Sequence, residues 1–250
     1  TARATSRLRG GTIEVPIGIS NRHVHLSPDD AARLFGGSPL SVHRPLSQPG
    51  QFAADQRVNV VSPKGRIDGI RVVGPARGMT QVELALSDAA LLGITPPIAN
   101  SGMLDGSLGG VTLEGSKGTV LIRAGVIVPA RHLHLSVEDG RRWHLSDGDT
   151  ISVRCGSGPR AANLHGVLVR SGSGHATELH LDVDEARAAG VHQGDTAVVL
   201  EATSATAQRR VLVTERDVLA LSARGEKVPQ GALLTPGARD RARALGLLES

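Results

Sequence analysis

Apolar and polar residues alternate in short runs along most of the chain. Ile13-Glu14-Val15, Ile17-Gly18-Ile19, Val58-Asn59-Val60 and Ile70-Arg71-Val72 follow a period of two, as do 120–122, 126–128, 150–153, 166–169 and 196–200. Side chains two apart in a strand share a face, so each run predicts a short strand with one buried side. Gly- and Pro-rich turns separate the runs, a pattern of barrels and sandwiches. Helix signals are few. Ser27-Pro28-Asp29-Asp30 joins an N-cap serine to a first-turn proline and two acids, and Gly36-Gly37 closes that segment. A second helix covers 184–189 and stops at Gly190. Thr214–Asp217 resembles a capping box and opens a helix to Arg224, with Gly225 behind it; Thr235-Pro236 opens another to Leu245. The segment 38–55 is rich in turn residues and reads as an excursion from the main body. Residues 100–110 read as a connector.

The pattern repeats. TQVELALSDAALLGI (80–94) matches TELHLDVDEARAAGV (177–191) at a constant offset of 97, pairing Thr80 with Thr177, Glu83 with His180 and Gly93 with Gly190. The same offset pairs Asp68-Gly69-Ile70 with His165-Gly166-Val167. Upstream, NRHVHLSPDD (21–30) matches ARHLHLSVED (130–139) at an offset of 109. Three blocks in the same order predict two related modules.

Composition narrows the possibilities. The 250 residues suit one large domain or two small ones, and 40% are hydrophobic. Phe35, Phe52 and Trp143 are the only aromatics, so the core rests on Val, Leu, Ile and Ala. No window reaches the roughly 18 apolar residues of a membrane span, and no basic-then-apolar secretion signal is present, so no membrane partner is expected. The chain starts at Thr1, which leaves room for a native leader ahead of it. Cys155 is the sole cysteine. It excludes an internal disulfide framework, suits a reducing cytosol and leaves any metal site to His, Asp and Glu. The net charge is +4, but the arginines are scattered and base-stacking aromatics are scarce. That argues against nucleic acid and for a polyanionic small molecule.

The chemistry concentrates in R-H-x-H-L-S. In a strand His23 and His25 point the same way, and so do His132 and His134. Two imidazoles on one face make a metal half-site, and a pair of hydrogen-bonded surface histidines is the alternative. Duplication favours the metal. It also supplies a third ligand to each module: Glu83 to His23 and His25, and His180 to His132 and His134. Three protein ligands with an open position is the pattern of a catalytic site. Arg77, a few residues ahead of Glu83, suits a phosphate or carboxylate, or else is a solvated arginine. His43, His144, His165, His175 and His192 sit in contexts that favour surface or hydrogen-bonded roles. Cys155 reads as a buried, inert thiol.

G-I-S-N-R-H-V-H-L-S, S-Q-P-G-Q-F-A, R-x-x-G-P-x-R-x-x-T-Q-V-E, A-R-H-L-H and L-H-L-D-V-D-E-A together resemble the PduL-type phosphotransacylases (phosphate propanoyltransferases) of bacterial microcompartments, from about Ile13 to Leu200. The resemblance implies a mainly β fold of two closed β-barrels, with short helices and a helical tail. One barrel would take 12–21 and 130–213, and the other 22–129 including the excursion. From the residues themselves, 1–11 (small, polar and basic) reads as a flexible lead and 214–250, with its two capped helices, as a helical extension. The implied reaction is acyl-CoA plus phosphate to acyl phosphate plus CoA, and the reverse, for a short acyl chain such as acetyl or propanoyl. Two divalent metal ions, zinc by family habit, would sit on His23, His25 and Glu83 (beside the CoA sulfur) and on His132, His134 and His180 (with waters). Arg77 would position phosphate. Ser20, Arg44, Arg71, Val73, His180 and Arg187 would contact CoA; Arg44 stands where lysine is common and Arg187 where the family has Asn. A homodimer in the microcompartment lumen, otherwise the cytoplasm, is implied. Outside that match, G-A-L-L-T-P-G-A-R-D (231–240) resembles short segments appended to other microcompartment enzymes, so 214–250 is expected to dock to a shell or lumen protein, with a packed or frayed helical tail as the alternative. From the ligands alone, a dinuclear zinc hydrolase or a scaffold stapled by zinc are the competing readings.

Overall fold

A computed structural model describes residues 12–203, 212–228 and 232–248. The expected flexible lead at 1–11 lies outside the described residues. The described chain divides into two compact units, residues 12–202 and residues 203–248.

The first unit is mainly β, as the alternation predicts. Strands β1 (Ile13–Ser20), β11 (His132–Leu135), β12 (Thr150–Cys155), β13 (Ala162–Ser171), β14 (Glu178–Asp182) and β15 (Thr196–Thr203) close into a barrel in the order β1-β14-β11-β13-β12-β15. Its core is aliphatic: Ile17, Leu133, Val153, Val169, Leu179 and Ala197 are buried together. The second sheet holds β2 (His23–His25), β3 (Val42–Pro45), β4 (Phe52–Val61), β5 (Arg66–Gly74), β6 (Gln81–Glu83), β7 (Ile98–Ala99), β8 (Val111–Glu114), β9 (Thr119–Ile122) and β10 (Val126–Pro129). Its order is β7-β10-β6-β2-β5-β4-β8-β9, with β3 on β4. It curls as a half-barrel around Val24, Val58, Ile70, Val82 and Leu113, and its pairing ends at β7 and β9 instead of closing. The excursion 38–55 contributes β3 and the start of β4.

The duplication appears as matched strand registers. β2 runs antiparallel to β6, placing His23 opposite Glu83; β11 runs antiparallel to β14, placing His132 opposite His180. β1 precedes the first histidine pair in sequence yet lies beside β14, with Gly18 opposite His180. β10 precedes the second pair yet lies beside β6, with Ile127 opposite Glu83. The chain therefore crosses between modules just before each H-x-H, which brings both pairs to the boundary between the two sheets.

Helices follow the same scheme. α1 (Pro28–Phe35) and α3 (Val137–Trp143) start on Ser27 and Ser136, whose hydroxyls accept from Asp30 and Asp139 N–H. Thr80 and Thr177 accept from the Ser27 and Ser136 N–H groups and donate to Asp30 and Asp139. α2 (Leu86–Leu92) and α4 (Val183–Ala189) end on Gly93 and Gly190 in the left-handed region. Neither α2 nor α3 is among the helices expected from the sequence, although Ser136 and the first-turn acids Glu138 and Asp139 repeat the α1 cap. α2 begins at Ala85, which has no capping side chain, and α3 contains Gly140. Glycine eases a tight approach there: a Cβ would lie 3.1 Å from the Leu145 carbonyl oxygen.

In the second unit, helices Glu215–Ala223 and Pro236–Ala244 start on Thr214 and Thr235, as their capping sequences predict. With the strand pair β16 (Leu212–Val213) and β17 (Leu233–Leu234) they enclose a small core of Val213, Val218, Val228, Ala238 and Ala242.

Candidate metal centre

Period-two geometry turns His23 and His25 to one side of β2, with Val24 packed into the core behind them. The His23 and His25 Nε2 atoms lie 3.2 Å apart. Each ring is anchored by its other nitrogen: His23 Nδ1 donates to the Asn21 carbonyl at 2.8 Å, and His25 Nδ1 to the Val73 carbonyl at 3.1 Å. A carbonyl only accepts, so Nδ1 carries the proton and Nε2 the lone pair in both rings. Glu83 completes the group, with its oxygens 3.5 Å from His23 Nε2 and 3.9 Å from His25 Nε2. The second cluster repeats the design. His132 and His134 Nε2 atoms are 3.2 Å apart, His132 Nδ1 donates to the Ala130 carbonyl at 2.8 Å, and His180 stands across the strand pair. In each cluster the three donor atoms lie within 4.8 Å of one another.

The donors suit a divalent cation. Two lone pairs aimed at each other from 3.2 Å repel unless a positive charge lies between them. Two nitrogens bound to a tetrahedral zinc at about 2.0–2.1 Å stand roughly 3.3 Å apart. Protonation states agree. Burial pushes His25 down to about 3, helped by the charge of His23, and pushes His132 down to about 4, helped by His180. Burial and the neighbouring His132 and His180 push His134 down to about 2. All three rings are neutral near pH 7, the form that ligates metal. Burial alone would raise Glu83, but the charges of His23 and His25 and a hydrogen bond from Ser101 outweigh it and hold it at about 2.

Several supporting residues escaped the sequence reading. Gln81 donates to Glu83, and Ser101, from the expected connector, donates to it at 2.7 Å. The position equivalent to Gln81 is Glu178, which accepts from His180 Nε2 at 2.7 Å and from the Ser47 hydroxyl. The two modules thus exchange roles: an amide supports a carboxylate in one, and a carboxylate supports an imidazole in the other. Burial pushes Glu178 up, but hydrogen bonds from His180, Ser47 and Gln48 outweigh it and hold it below the usual range. Arg22 pairs with Asp88 at 2.5 Å and Arg131 with Glu185 at 2.7 Å, equivalent bridges that tie each H-x-H to the helix after its partner strand. The signal was present as the matched R-H-x-H arginines and the helix acids at the duplication offsets.

His175, expected in a surface or hydrogen-bonded role, takes the hydrogen-bonded one and lies half-buried against the second cluster. Its Nδ1 is 3.1 Å from His134 Nδ1 and donates to the Arg170 carbonyl at 2.6 Å. By the duplication that carbonyl matches the Val73 carbonyl that holds His25, so a loop histidine has taken it over. The remaining histidines stand apart: His43 pairs with Asp55, His165 with Ser152, His144 caps α3, and His192 is exposed. Cys155 is fully buried in the barrel core.

Both clusters line one cleft of about 1930 Å³, larger than the roughly 300–1,000 Å³ of ordinary small-molecule pockets. Ser20, Arg44, Arg71, Val73, Arg77 and Arg187 line it as well. Arg77 is half-buried, with its backbone N–H on the Leu26 carbonyl and its guanidinium 3.5 Å from the Ser101 hydroxyl. Arg71 donates to the Ala54 carbonyl at 2.6 Å, while Arg44 and Arg187 are exposed.

The sequence is similar to those of known proteins. The sequence model of a family described as phosphate propanoyltransferase matches residues 16–192. A phosphate propanoyltransferase of Rhodobacter capsulatus is 48% identical over 185 residues, covering 74% of this chain and 85% of that protein. One from Shewanella putrefaciens is 40% identical, covering 80% and 93%. One from Thermotoga maritima is 42% identical, covering 74% and 88%.

Proposed function

Because the chain belongs to the phosphate propanoyltransferase family, we propose that it moves a short acyl group, acetyl or propanoyl, between CoA and phosphate in either direction. The observation that carries this reading is one cleft that joins two metal-ready histidine clusters to the half-buried Arg77 guanidinium. His23, His25 and Glu83 hold one divalent cation and His132, His134 and His180 a second, zinc by donor type. Such cations, when bound, supply Lewis acidity for the thioester carbonyl and a soft site for sulfur.

The chain's own residues do the rest. Arg77 grips phosphate and orients it; phosphate is itself the nucleophile, so no activated side chain is needed. A phosphate oxygen bonds to the thioester carbonyl carbon, the C–S bond breaks, and CoA leaves as thiolate. Transfer is direct. Cys155 is walled into the barrel, and burial, with the charge of Glu185, pushes its thiol up to about 11, far from a reactive thiolate. Ser20, Arg44, Arg71, Val73, His180 and Arg187 take the CoA, whose phosphates suit the exposed arginines. The enzyme works as a homodimer in a microcompartment lumen, with 214–250 docking to a shell or lumen protein.

An acyl-CoA panel assayed with and without phosphate, on metal-quantified protein, tests the reading. CoA release should require phosphate and yield acyl phosphate in equal amount. Release in the absence of phosphate would point to a hydrolase instead, and an acyl group trapped on the protein would exclude direct transfer.

A further inference from the structure

A cationic side chain beside the second cluster has no role in the scheme above. Arg170 lies on β13, directly opposite His134 on the parallel neighbour β11. Residues opposite each other across a strand pair project from the same face, so Arg170 shares the face that carries the second histidine cluster. It lines the same cleft as Arg77 and is half-buried. Among the described residues its guanidinium makes no hydrogen bond and no ion pair.

A half-buried guanidinium is normally matched by a carboxylate or by carbonyls. Here the surroundings make matters worse. The Arg77 guanidinium, pushed down first by burial, is pushed further by the charge of Arg170, against the pull of Glu83. His132 and His134 feel the same charge. Arg77 and Arg170 thus share one cleft in which the buried carboxylates are already engaged, Glu83 by Gln81 and Ser101, Glu178 by His180 and Asp88 by Arg22, and an anion relieves the two guanidiniums. The duplication makes the point sharper. The position equivalent to Arg170 is Val73, and the position equivalent to Arg77 is Gly174. Arg77 and Arg170 thus come from different modules and from non-equivalent places.

We propose that Arg170 is a second phosphate-gripping residue, which with Arg77 clamps the nucleophilic phosphate, or the acyl phosphate in reverse, from the barrel side of the cleft. This rests on the acyltransferase reading for its substrate, but the anion site itself can be tested without turnover. A tetrahedral dianion held by two forks has its attacking oxygen fixed, where one fork leaves it free to swivel.

The test is calorimetric titration of inorganic phosphate into the metal-loaded full chain, as wild type, Arg170→Gln and Arg170→Lys, with steady-state kinetics alongside. Arg170→Gln should weaken phosphate binding about 10-fold or more and raise the KM for phosphate similarly, leaving the KM for acyl-CoA unchanged. Arg170→Lys should recover part of the loss, since it keeps charge without the fork. Unchanged phosphate affinity in Arg170→Gln overturns the proposal. So does a raised KM for acyl-CoA with phosphate affinity intact, which would assign Arg170 to the phosphates of CoA. Should Arg170→Gln lose its cooperative melting transition, Arg170→Lys decides: phosphate binding several-fold weaker at an unaltered melting temperature upholds the clamp, and equal binding overturns it. If wild-type protein shows no phosphate-dependent CoA release while Arg170→Gln still loses phosphate, the acyltransferase reading fails and the anion site stands.

Discussion

At the scale of single residues the site is a set of buried imidazoles kept neutral. That has a consequence for stability. His25, His132 and His134 titrate at about 3, 4 and 2 in the fold and near 6.5 in the unfolded chain. Above pH 6.5 both states are neutral and stability is full. Below it the unfolded chain takes up protons that the folded chain refuses, so stability falls with pH until the folded values are reached. Each buried histidine contributes up to about 1.4 kcal/mol per pH unit in that window. Glu83, held at about 2, adds its own loss below about 4.5, so histidines dominate from pH 6.5 to 4.5. Urea melts of chelator-treated protein should show stability dropping by several kcal/mol between pH 6.5 and 5, and a flat profile there would contradict the neutral-imidazole picture. The two clusters should also be separable. Glu83→Gln keeps the shape and the hydrogen bond from Ser101 but removes the anion, so metal content should fall by about one equivalent per chain and acyl transfer by at least ~10²-fold. His134→Ala should remove the other equivalent. Elemental analysis that finds both ions in either variant would break the ligand assignment.

At the scale of elements the excursion 38–55 turns out to reach the second cluster. Gln48 is buried, donates to the Ala176 carbonyl at 3.1 Å and to Glu178 at 3.4 Å, and accepts from Ala176 N–H at 3.3 Å. Glu178 in turn orients His180. Gln48→Ala should cost about 1–3 kcal/mol in stranded backbone groups, lowering the melting temperature by roughly 2–10 °C. It should also slow acyl transfer by loosening His180. A variant that melts lower but turns over at the wild-type rate would make Gln48 a purely structural strut. This long-range contact was invisible in the sequence, where 38–55 shows just turn residues. What was legible is local or repeated. Ser27-Pro28 marked α1, Thr214 and Thr235 marked the tail helices, and the offsets of 97 and 109 brought Glu83 and His180 to their histidine pairs. What was not legible depends on the fold. Ser101 reaches Glu83 from a loop without pattern, His175 displaces a backbone contact, and α3 carries a glycine at a tight approach to the Leu145 carbonyl. The crossing of β1 and β10 between modules also lay beyond periodicity, because alternation specifies a face and not a partner.

At the scale of the whole molecule the duplication becomes a local twofold. Ser87 and Asp184 occupy equivalent positions at the starts of α2 and α4, and they touch: Ser87 N–H and hydroxyl donate to the Asp184 carboxylate at 2.9 and 2.8 Å. Equivalent positions meet in this way where an axis of pseudo-symmetry passes. Strand exchange wraps the modules into one unit, so neither barrel nor half-barrel is a separable part. The tail is different. It lies outside the 16–192 matched by the family, and it has a core of its own in Val213, Val218, Val228, Ala238 and Ala242. The described residues that line the cleft lie between Gly18 and Gln193. Deleting 214–250 should therefore leave phosphate-dependent CoA release within about twofold and leave metal content unchanged, since every proposed ligand and every strand that holds one is retained. The same deletion should abolish co-sedimentation with microcompartment shells when the two are expressed together. Loss of turnover on deletion would tie the tail to catalysis, and full co-sedimentation without it would place the docking signal elsewhere in the chain.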